Sequence, residues 1–368
     1  MPSVLTEKGG QIVMIGPAPD SLGGMSSVVA TYRESGLFER SRVRYLATYR
    51  HAGWPDKLAR LAITLCQFAA LLLRRRVALL HVHTASRSSF WRKSVFVGLA
   101  RLFRVPVVLH IHSGEFMQFY GKECGRVRKA LVRSVMRASS CVLCLTPRWQ
   151  QALIDVEPRA EIFVLRNPVQ AQPSVVARRM AGSVEPGCVL FLGRLREKKG
   201  VFDLLHAWPQ VLGKVPGARL VLAGDGDAQA IVAVARELGV EDSIALPGWV
   251  ADQAKLDWLA RASVFVLPSY AEGLPVGVLE AMICEIPVLA TRVGGVPDVI
   301  EDGCDGMIID AGDVSQLAAT LSHLLCDSQL RDRLARAGRR RVTRECSADL
   351  IVQQLEQYWR RAITRGEL

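Results

Sequence analysis

The chain consists of short apolar runs that alternate with longer segments of helical periodicity. The runs are rich in Val, Ile and Leu and are bounded by polar or glycine-containing turns. Such runs between helical segments are typical of strands in a parallel sheet, because those strands are buried on both faces. The pattern predicts strands near residues 11–16, 43–47, 78–83, 106–112, 141–145, 162–166, 188–193, 218–223, 243–246, 263–267, 287–291 and 306–309.

The alternation stops once, after Asn167, in a Pro-, Ala- and Gly-containing segment with no clear period. A length of 368 residues also favours two domains over one. We therefore predict an α/β protein with two doubly wound, Rossmann-like parallel-sheet domains facing across a cleft. The first would span residues 1–170 and the second 171–346, with a helix at 347–368 crossing back to the first. Ligands of such sheets bind beyond the carboxyl ends of the strands, so the loops there should carry function.

The apolar content does not predict a membrane span. The longest candidate, Leu61 to Leu73, has 13 residues. As a helix it would rise about 20 Å, against about 30 Å of hydrocarbon. The run from Asp56 to Arg76 instead predicts a buried helix, although its basic end could dip into lipid. The N-terminal residues lack the pattern of an export signal, and the nine scattered cysteines are expected to be reduced and mostly buried, as in a cytoplasmic protein.

The positive charge is concentrated in the first half of the chain. Residues 1–170 hold 25 Lys and Arg against 10 Asp and Glu, whereas residues 171–368 hold 22 against 25. At helical spacing, one set of basic residues forms a single stripe, and Val127, Leu131, Val135 and Ala138 fall on another side of the same helix. The stripe fits either an anionic membrane surface or an ordinary solvated face, and its members are Lys122, Arg126, Lys129, Arg133 and Arg137.

Nucleic acid is a poor candidate for the anionic partner. The basic half shows no helix-turn-helix, zinc-finger spacing or aromatic RNA-binding strand. We therefore expect no nucleic-acid binding.

Two loops in the first half could carry chemistry. Gly23-Gly24 follows the first strand and opens a helix, which fits either a phosphate at the helix N-terminus or a plain tight turn. His110 and His112 end the fourth strand on one face, and His112 is followed by Ser113 and Gly114. A histidine at this end of a parallel strand is a site candidate, although strand histidines are often structural.

The second half carries sharper signals. Arg194 and Lys199 bracket the loop between a strand and the next helix, a cradle suited to phosphate. Glu272 lies in the loop after the strand at 263–267, and Glu280 lies eight residues later in the helix that follows Pro275. A carboxylate there suits sugar hydroxyls better than an anion. Asp225-Gly226-Asp227 spells a motif that holds metal in some transferases, but at a helix start its aspartates are better explained as caps.

Together these residues resemble retaining glycosyltransferase family 4, whose fold is called GT-B. The resemblance covers nearly the whole chain in family order. One departure is Ile283-Cys284-Glu285, where the family usually has small residues and a glycine. The motifs that carry the resemblance are Gly23-Gly24, His112, Asn167-Pro168, Gly193-Arg194-Leu195, Lys199-Gly200, Gly224-Asp225-Gly226, Glu272 to Met282, and Gly294-Gly295 with Pro297.

The resemblance implies transfer of a sugar from a nucleoside diphosphate donor, with retention at the anomeric carbon and with no metal or other cofactor. It implies that Arg194 and Lys199 hold the diphosphate, that Glu272 contacts the sugar and that Glu280 holds the ribose. His112 would lie beside the reacting sugar. The other donor-binding positions that it implies are Gly24, Gly273, Leu274 and Pro275.

The expected acceptor is a saccharide or a saccharide linked to polyprenyl diphosphate, in cell-surface polysaccharide or glycolipid synthesis. The enzyme would then be cytoplasmic and peripheral at the inner face of the plasma membrane, held through the basic stripe. Two alternatives stay open: a GT-B sugar-nucleotide epimerase or phosphorylase-like enzyme, and a non-catalytic sugar-nucleotide-binding partner.

Overall fold

The structure is a computed structural model that describes residues 10–48 and 54–365. The chain divides into two compact units. The N-terminal unit takes the chain up to Pro168 together with the segment from Ala348 onward, and the C-terminal unit is Val169–Ser347.

The N-terminal unit contains a six-stranded parallel sheet with the order β2-β1-β3-β4-β5-β6. Its strands are β1 (Gln11–Gly16), β2 (Val43–Ala47), β3 (Val77–Thr84), β4 (Val107–Ile111), β5 (Cys141–Cys144) and β6 (Ile162–Val164). Its helices are α1 (Gly24–Glu34), α2 (Leu37–Arg40), α3 (Trp54–Leu73), α4 (Ser88–Leu102), α5 (Phe116–Gln118), α6 (Arg126–Ala138), α7 (Pro147–Val156) and, at the C-terminus, α15 (Ala348–Arg365), which packs on α1, β3 and β4.

The C-terminal unit contains a second six-stranded parallel sheet, with the order β12-β11-β10-β7-β8-β9. Its strands are β7 (Cys188–Leu192), β8 (Arg219–Ala223), β9 (Ile244–Ala245), β10 (Val264–Leu267), β11 (Val288–Thr291) and β12 (Met307–Ile309). Its helices are α8 (Pro173–Arg178), α9 (Val201–Lys214), α10 (Ala228–Glu237), α11 (Asp252–Arg261), α12 (Val276–Ile283), α13 (Val314–Cys326) and α14 (Ser328–Cys346).

Each strand predicted from the sequence is present, within a few residues of its predicted bounds. The physical reason is burial: β4, β7 and β10 consist almost wholly of buried apolar residues, as strands covered on both faces must. The α/β class with two parallel sheets is confirmed.

Each sheet reverses its winding direction at one point. In the N-terminal unit the chain moves outward on opposite sides of the β1–β3 pair, and in the C-terminal unit it does so at the β7–β10 pair. The loops that follow these strands diverge there and leave a crevice at the carboxyl edge, which is the usual ligand position in open α/β sheets.

The prediction that α3 is a buried helix is wrong. Phe68 and Leu72 pack inward, but Ile63 is exposed and Leu73 is 73% exposed. The helix packs along one side only, against β2 and α4, so an all-round apolar sequence leaves apolar residues at the surface. Among the described residues, no helix is both long and apolar enough to cross a membrane.

The apolar side of α6 that the sequence pattern indicates is not the side that packs. Val127 is 74% exposed and Leu131 is exposed as well, whereas Val132 and Met136 are buried. The helix packs through the row that contains these two residues, four positions apart, so its outer surface combines apolar and basic side chains.

The cysteines follow the expectation in part. Most are buried, including Cys141 and Cys144 on β5, but Cys66, Cys304 and Cys326 are exposed, and all nine are free thiols.

Candidate functional site

A lysine–glutamate pair lies where the C-terminal sheet reverses direction. Lys199 ends the helical turn that follows β7, and Glu272 lies in the loop after β10. Lys199 Nζ is 2.5 Å from Glu272 Oε1, and the Ser269 hydroxyl donates to the same oxygen at 2.6 Å. The Glu272 side chain is 9% exposed and the Lys199 side chain 28%. The carboxylate is therefore fixed in place while part of the pair still faces solvent.

Glycines allow the loops around this pair to touch backbone to backbone. Gly200 has a φ of 69°, and a Cβ atom there would overlap the carbonyl oxygen of Pro268. Gly294 has a φ of 54°, and a Cβ atom there would overlap the carbonyl oxygen of Glu272. Only glycine combines a left-handed conformation with this close approach. The residues flanking Glu272 are thus locked to the loops after β7 and β11.

Hydrogen bonds complete this lock. The backbone N–H of Tyr270 donates to the Lys198 carbonyl at 2.9 Å, and that of Gly295 donates to the Gly273 carbonyl at 2.7 Å. The Thr291 hydroxyl donates to the Ser269 carbonyl. Because strands β11, β10 and β7 are neighbours in the sheet, their loops can hold one carboxylate rigidly.

Arg194 occupies the same edge, directly after β7, and its side chain is half-buried. The residues on either side of it are held by the loop after β8, since Gly193 N donates to Ala223 O at 3.1 Å and Leu195 N to Asp225 O at 2.8 Å. After β8, Asp227 caps α10 as predicted, because its carboxylate accepts a hydrogen bond from the Ala230 N–H at 3.0 Å.

Glu280 has a partner that the sequence did not indicate. It lies on α12, beyond the buried Leu274 and Pro275, and its Oε1 is 2.6 Å from Lys255 Nζ on α11. The ion pair is partly exposed on both sides. It places a carboxylate and an ammonium together, which suits a diol that both accepts and donates hydrogen bonds.

His112 belongs to a cluster of four histidines in the N-terminal unit. Its backbone N–H donates to Thr84 O at 2.8 Å, just beyond β4, and its Nε2 is 2.8 Å from His83 Nδ1. His83 pairs with His110 in the register of β3 and β4, and His81 precedes it by two residues. We missed His81 and His83 in the sequence, although His-Val-His repeats the spacing of His110 and His112 on an adjacent strand.

Burial keeps these histidines neutral. It lowers the pKa of His81 and of His112 to about 3, and it lowers the pKa values of His83 and His110 well below the ordinary range. A hydrogen bond with the Asn167 side chain opposes this effect at His112. An uncharged imidazole has one donor and one acceptor nitrogen, so the direction of each hydrogen bond fixes the tautomer.

A metal does not fit this cluster. Ring nitrogens of His81, His83 and His110 lie within 4.8 Å of one another, which brings a three-histidine site into consideration. However, Trp359 Nε1 donates to His81 Nδ1 at 2.9 Å, so the single proton of His81 resides on Nε2. A nitrogen that carries a proton cannot ligate, and the second ring nitrogen is already an acceptor.

Gly24 begins α1 after Gly23, whose φ is 141° and whose carbonyl accepts from the Ser26 and Ser27 N–H groups. Gly273 is half-buried between the two loops described above. A phosphate-binding role for the Gly23-Gly24 turn stays a prediction.

Some members of the basic stripe are exposed, and others interact with residues of the protein itself. Lys122 precedes α6 and is exposed, as are Arg126 and Arg133 on the helix. Lys129 donates to the Gly121 carbonyl at 3.2 Å, and Arg137 lies 3.4 Å from the buried Glu157 carboxylate. The outward members lie beside exposed Val127 and Leu131, so the surface is both cationic and apolar.

Comparison with known proteins places both units in one family. The model for the "Glycosyl transferase 4-like domain" matches residues 6–168, and that for "Glycosyl transferases group 1" matches residues 186–327. Glycogen synthase of Mycobacterium tuberculosis is 30% identical over 283 residues, covering 74% of this chain and 66% of that protein. The lipopolysaccharide core biosynthesis glycosyltransferase LpsE of Rhizobium meliloti is 30% identical over 221 residues, covering 59% of this chain and 63% of that protein.

The match therefore spans just under two thirds of the length of these relatives. Among solved structures, sucrose-phosphate synthase from Thermosynechococcus elongatus is 19% identical with a TM-score of 0.79, covering 97% of this chain and 100% of that one. This likeness shows the fold, which is GT-B. The chain belongs to the group 1 glycosyltransferases, with a family 4-like N-terminal domain and a group 1 C-terminal domain.

Proposed function

We propose that the protein is a retaining glycosyltransferase that moves a sugar from a nucleoside diphosphate to a hydroxyl of a saccharide acceptor. The observation that carries the proposal is the Lys199–Glu272 pair, held by Ser269 at the winding reversal of the C-terminal sheet. It supplies a cation for a diphosphate and a fixed carboxylate for sugar hydroxyls at one point.

The chemistry depends on charge that grows as the glycosidic bond breaks. Lys199 and Arg194 neutralise the departing diphosphate, an effect that is larger in the transition state than in the bound donor. Glu272 orients the sugar through its hydroxyls, and Glu280 with Lys255 receives the ribose. These fixed cations supply the stabilisation that a metal gives in other transferases, so we assign no metal to the reaction.

We assign no protein nucleophile. The acceptor hydroxyl attacks the anomeric carbon on the face that the diphosphate leaves, and its proton passes to an oxygen of the departing phosphate. One bond forms and one breaks at the same carbon on the same face, which retains the configuration. We assign His112 a place beside the reacting sugar, as the family resemblance implies.

The assay begins with a panel of sugar nucleotides, ranked by thermal stabilisation of the protein. The best donor is then tested for transfer to an added saccharide acceptor, which distinguishes transfer from epimerisation and from phosphorolysis. Glu272→Ala should lower turnover by about 100-fold or more while nucleotide affinity changes little. Exposed Glu237 on α10 provides the matched control as Glu237→Ala. Unchanged turnover in Glu272→Ala would refute the assignment.

We also propose that the acceptor is carried on a lipid and that the N-terminal unit binds an anionic membrane surface. Helices α3 and α4 are in contact, as are α4 and α6, so the three form one outer layer. Exposed apolar residues lie on each of them, including Ile63, Leu102 and Leu131, beside exposed arginines. Such a surface can bind an anionic membrane in two ways, because its apolar side chains insert into the lipid and its arginines are attracted to the anionic headgroups.

Vesicle binding tests this part. Each basic side chain near an anionic surface contributes about 1 kcal/mol, so Arg126→Gln with Arg133→Gln should weaken binding to phosphatidylglycerol vesicles about 30-fold. The same charge change at exposed Arg336 and Arg340 of α14 is the control and should have little effect. Equal binding to vesicles of phosphatidylcholine alone would contradict the electrostatic part of the proposal.

A further inference from the structure

A chain of polar contacts leads from the C-terminal helix to His112. Trp359, on α15, donates from Nε1 to His81 Nδ1 at 2.9 Å. The His81 and His83 rings stack with centroids 4.5 Å apart and 29° between their planes. His83 Nδ1 then lies 2.8 Å from His112 Nε2. Trp359, His81 and His83 are buried, and all four groups belong to the N-terminal unit.

The first contact fixes the protonation of His81. The indole N–H is only a donor, so His81 Nδ1 is the acceptor and its proton must be on Nε2. That Nε2 atom is buried without a hydrogen-bond partner among the described residues, and so is Nε2 of His83.

The stacking then determines which ring nitrogen of His83 carries the proton. If His83 also carried its proton on Nε2, two unpaired N–H groups would lie in the same apolar layer. Orphaned buried N–H groups are rarer than orphaned acceptors because their desolvation is costly. A donor on His81 beside a bare acceptor on His83 is the favourable pair, and it leaves the His83 proton on Nδ1, facing His112.

We propose that His83 is a positioning residue that donates to His112 and so holds it as its Nδ1–H tautomer. Trp359, acting through His81, sets which of these two histidines is the donor. The role of His112 in this inference rests on the proposed function. The tautomer of His112 does not depend on that function. With Nε2 accepting from His83, His112 has no free nitrogen to take the acceptor's proton. The proton must then go to the departing phosphate, as the proposed same-face attack requires.

The direct test is NMR of the full chain with ¹⁵N-labelled histidine rings, assigned by substitution of single histidines. We expect one tautomer for His112, with a pyrrole-type Nδ1 and a pyridine-type Nε2. In His83→Phe the His112 signals should shift toward an average of both tautomers. His83→Asn, whose amide can replace the Nδ1 donor, should restore the wild-type pattern.

His110 provides a matched control on the neighbouring strand. It lies beside both His83 and His112, but its hydrogen bond is with the Leu165 backbone and not with either of those rings. His110→Leu should leave the His112 tautomer unchanged. Trp359→Phe removes the donor at the start of the series of contacts, at the end opposite His112. His81 should then lose its single tautomer, and His112 should lose its single tautomer as a consequence.

An unchanged His112 spectrum in both His83→Phe and Trp359→Phe would overturn the proposal, as would a pyrrole-type Nε2 in the wild type. These outcomes do not require turnover, so they are distinct from failure of the proposed function. If transfer is measured, His83→Phe should lower kcat about tenfold with little change in the donor KM, and His83→Asn should restore it.

Discussion

At the residue scale, Lys93 is the buried charge that the site does not explain. It lies on α4, is 3% exposed and donates to the Ser89 hydroxyl at 3.1 Å. No carboxylate lies within ion-pairing distance of it among the residues described. Burial, with a smaller contribution from Arg92, lowers its pKa to about 7. The ammonium therefore destabilises the folded state near neutral pH.

We predict that Lys93→Met stabilises the protein. Methionine has a similar length without the charge, so the free energy of unfolding at pH 7 should rise by a few kcal/mol. The gain should shrink between pH 7 and about 10, because the unfolded lysine binds a proton there and the folded one does not. Urea unfolding at pH 7 and pH 9 measures both effects.

Lys214→Met is the comparison, since Lys214 is exposed at the end of α9. It should change neither the stability nor its dependence on pH. A destabilised Lys93→Met protein would mean that the ammonium has a partner that offsets its burial.

The residues of the site differ in how far sequence could predict them. Lys199 and Glu272 lie in the loops that follow strands β7 and β10, so an apolar run and the loop after it were enough to locate both. The Glu280–Lys255 and His112–His83 pairs join elements 25 and 29 residues apart, and Trp359 is 278 residues from His81. Such contacts depend on how helices and strands pack, which local patterns do not encode.

At the element scale, the strands were predictable and the helix faces were not. A parallel strand is buried on both sides, so its sequence is apolar throughout. A helix such as α6 offers more than one possible inner row, and the apolar row with Val127 is exposed whereas the row with Val132 is buried. Packing against α4 decides which row turns inward.

The end of α12 gives a prediction at this scale. Glu285 has a φ of 55°, in the left-handed region where a helix usually ends in glycine. Its carboxylate is 2.7 Å from Arg339, which ties the residue to α14. The chain thus keeps an unfavourable backbone conformation together with a partly buried ion pair.

Glu285→Gly and Glu285→Ala both remove the ion pair, but only glycine relieves the backbone. We expect Glu285→Gly to be more stable than Glu285→Ala by about 1 kcal/mol in the free energy of unfolding. Chemical denaturation of the two variants side by side measures the difference. Equal stability would show that the left-handed conformation carries no cost at this position.

At the scale of the whole molecule, the two units place their functional candidates at equivalent points. Glu272 and Lys199 follow the strands at the reversal of the C-terminal sheet, and Gly24 follows β1 at the reversal of the N-terminal sheet. The two series of strands made this arrangement predictable. The histidine layer beneath His112 was not, since its members are isolated polar residues inside apolar runs.

That layer should make the stability of the whole protein sensitive to mild acid. The unfolded histidines bind protons below about pH 6.5, whereas His81 and His112 in the folded state do so only near pH 3, with His83 and His110 also far below the ordinary range. The unfolded state therefore binds more protons in this window, and stability falls as the pH falls through it. Each histidine contributes about 1 kcal/mol per pH unit.

Urea unfolding at pH 6.5 and pH 5.5 tests this expectation above the range in which most carboxylates titrate. The wild type should lose roughly 4 kcal/mol, and His110→Leu should lose about 1 kcal/mol less because one buried titrating group is gone. An equal loss in the two proteins would mean that His110 is protonated in the folded state as readily as in the unfolded one. Its ring would then be hydrated, and the dry layer that orders the His81–His83–His112 contacts would not exist.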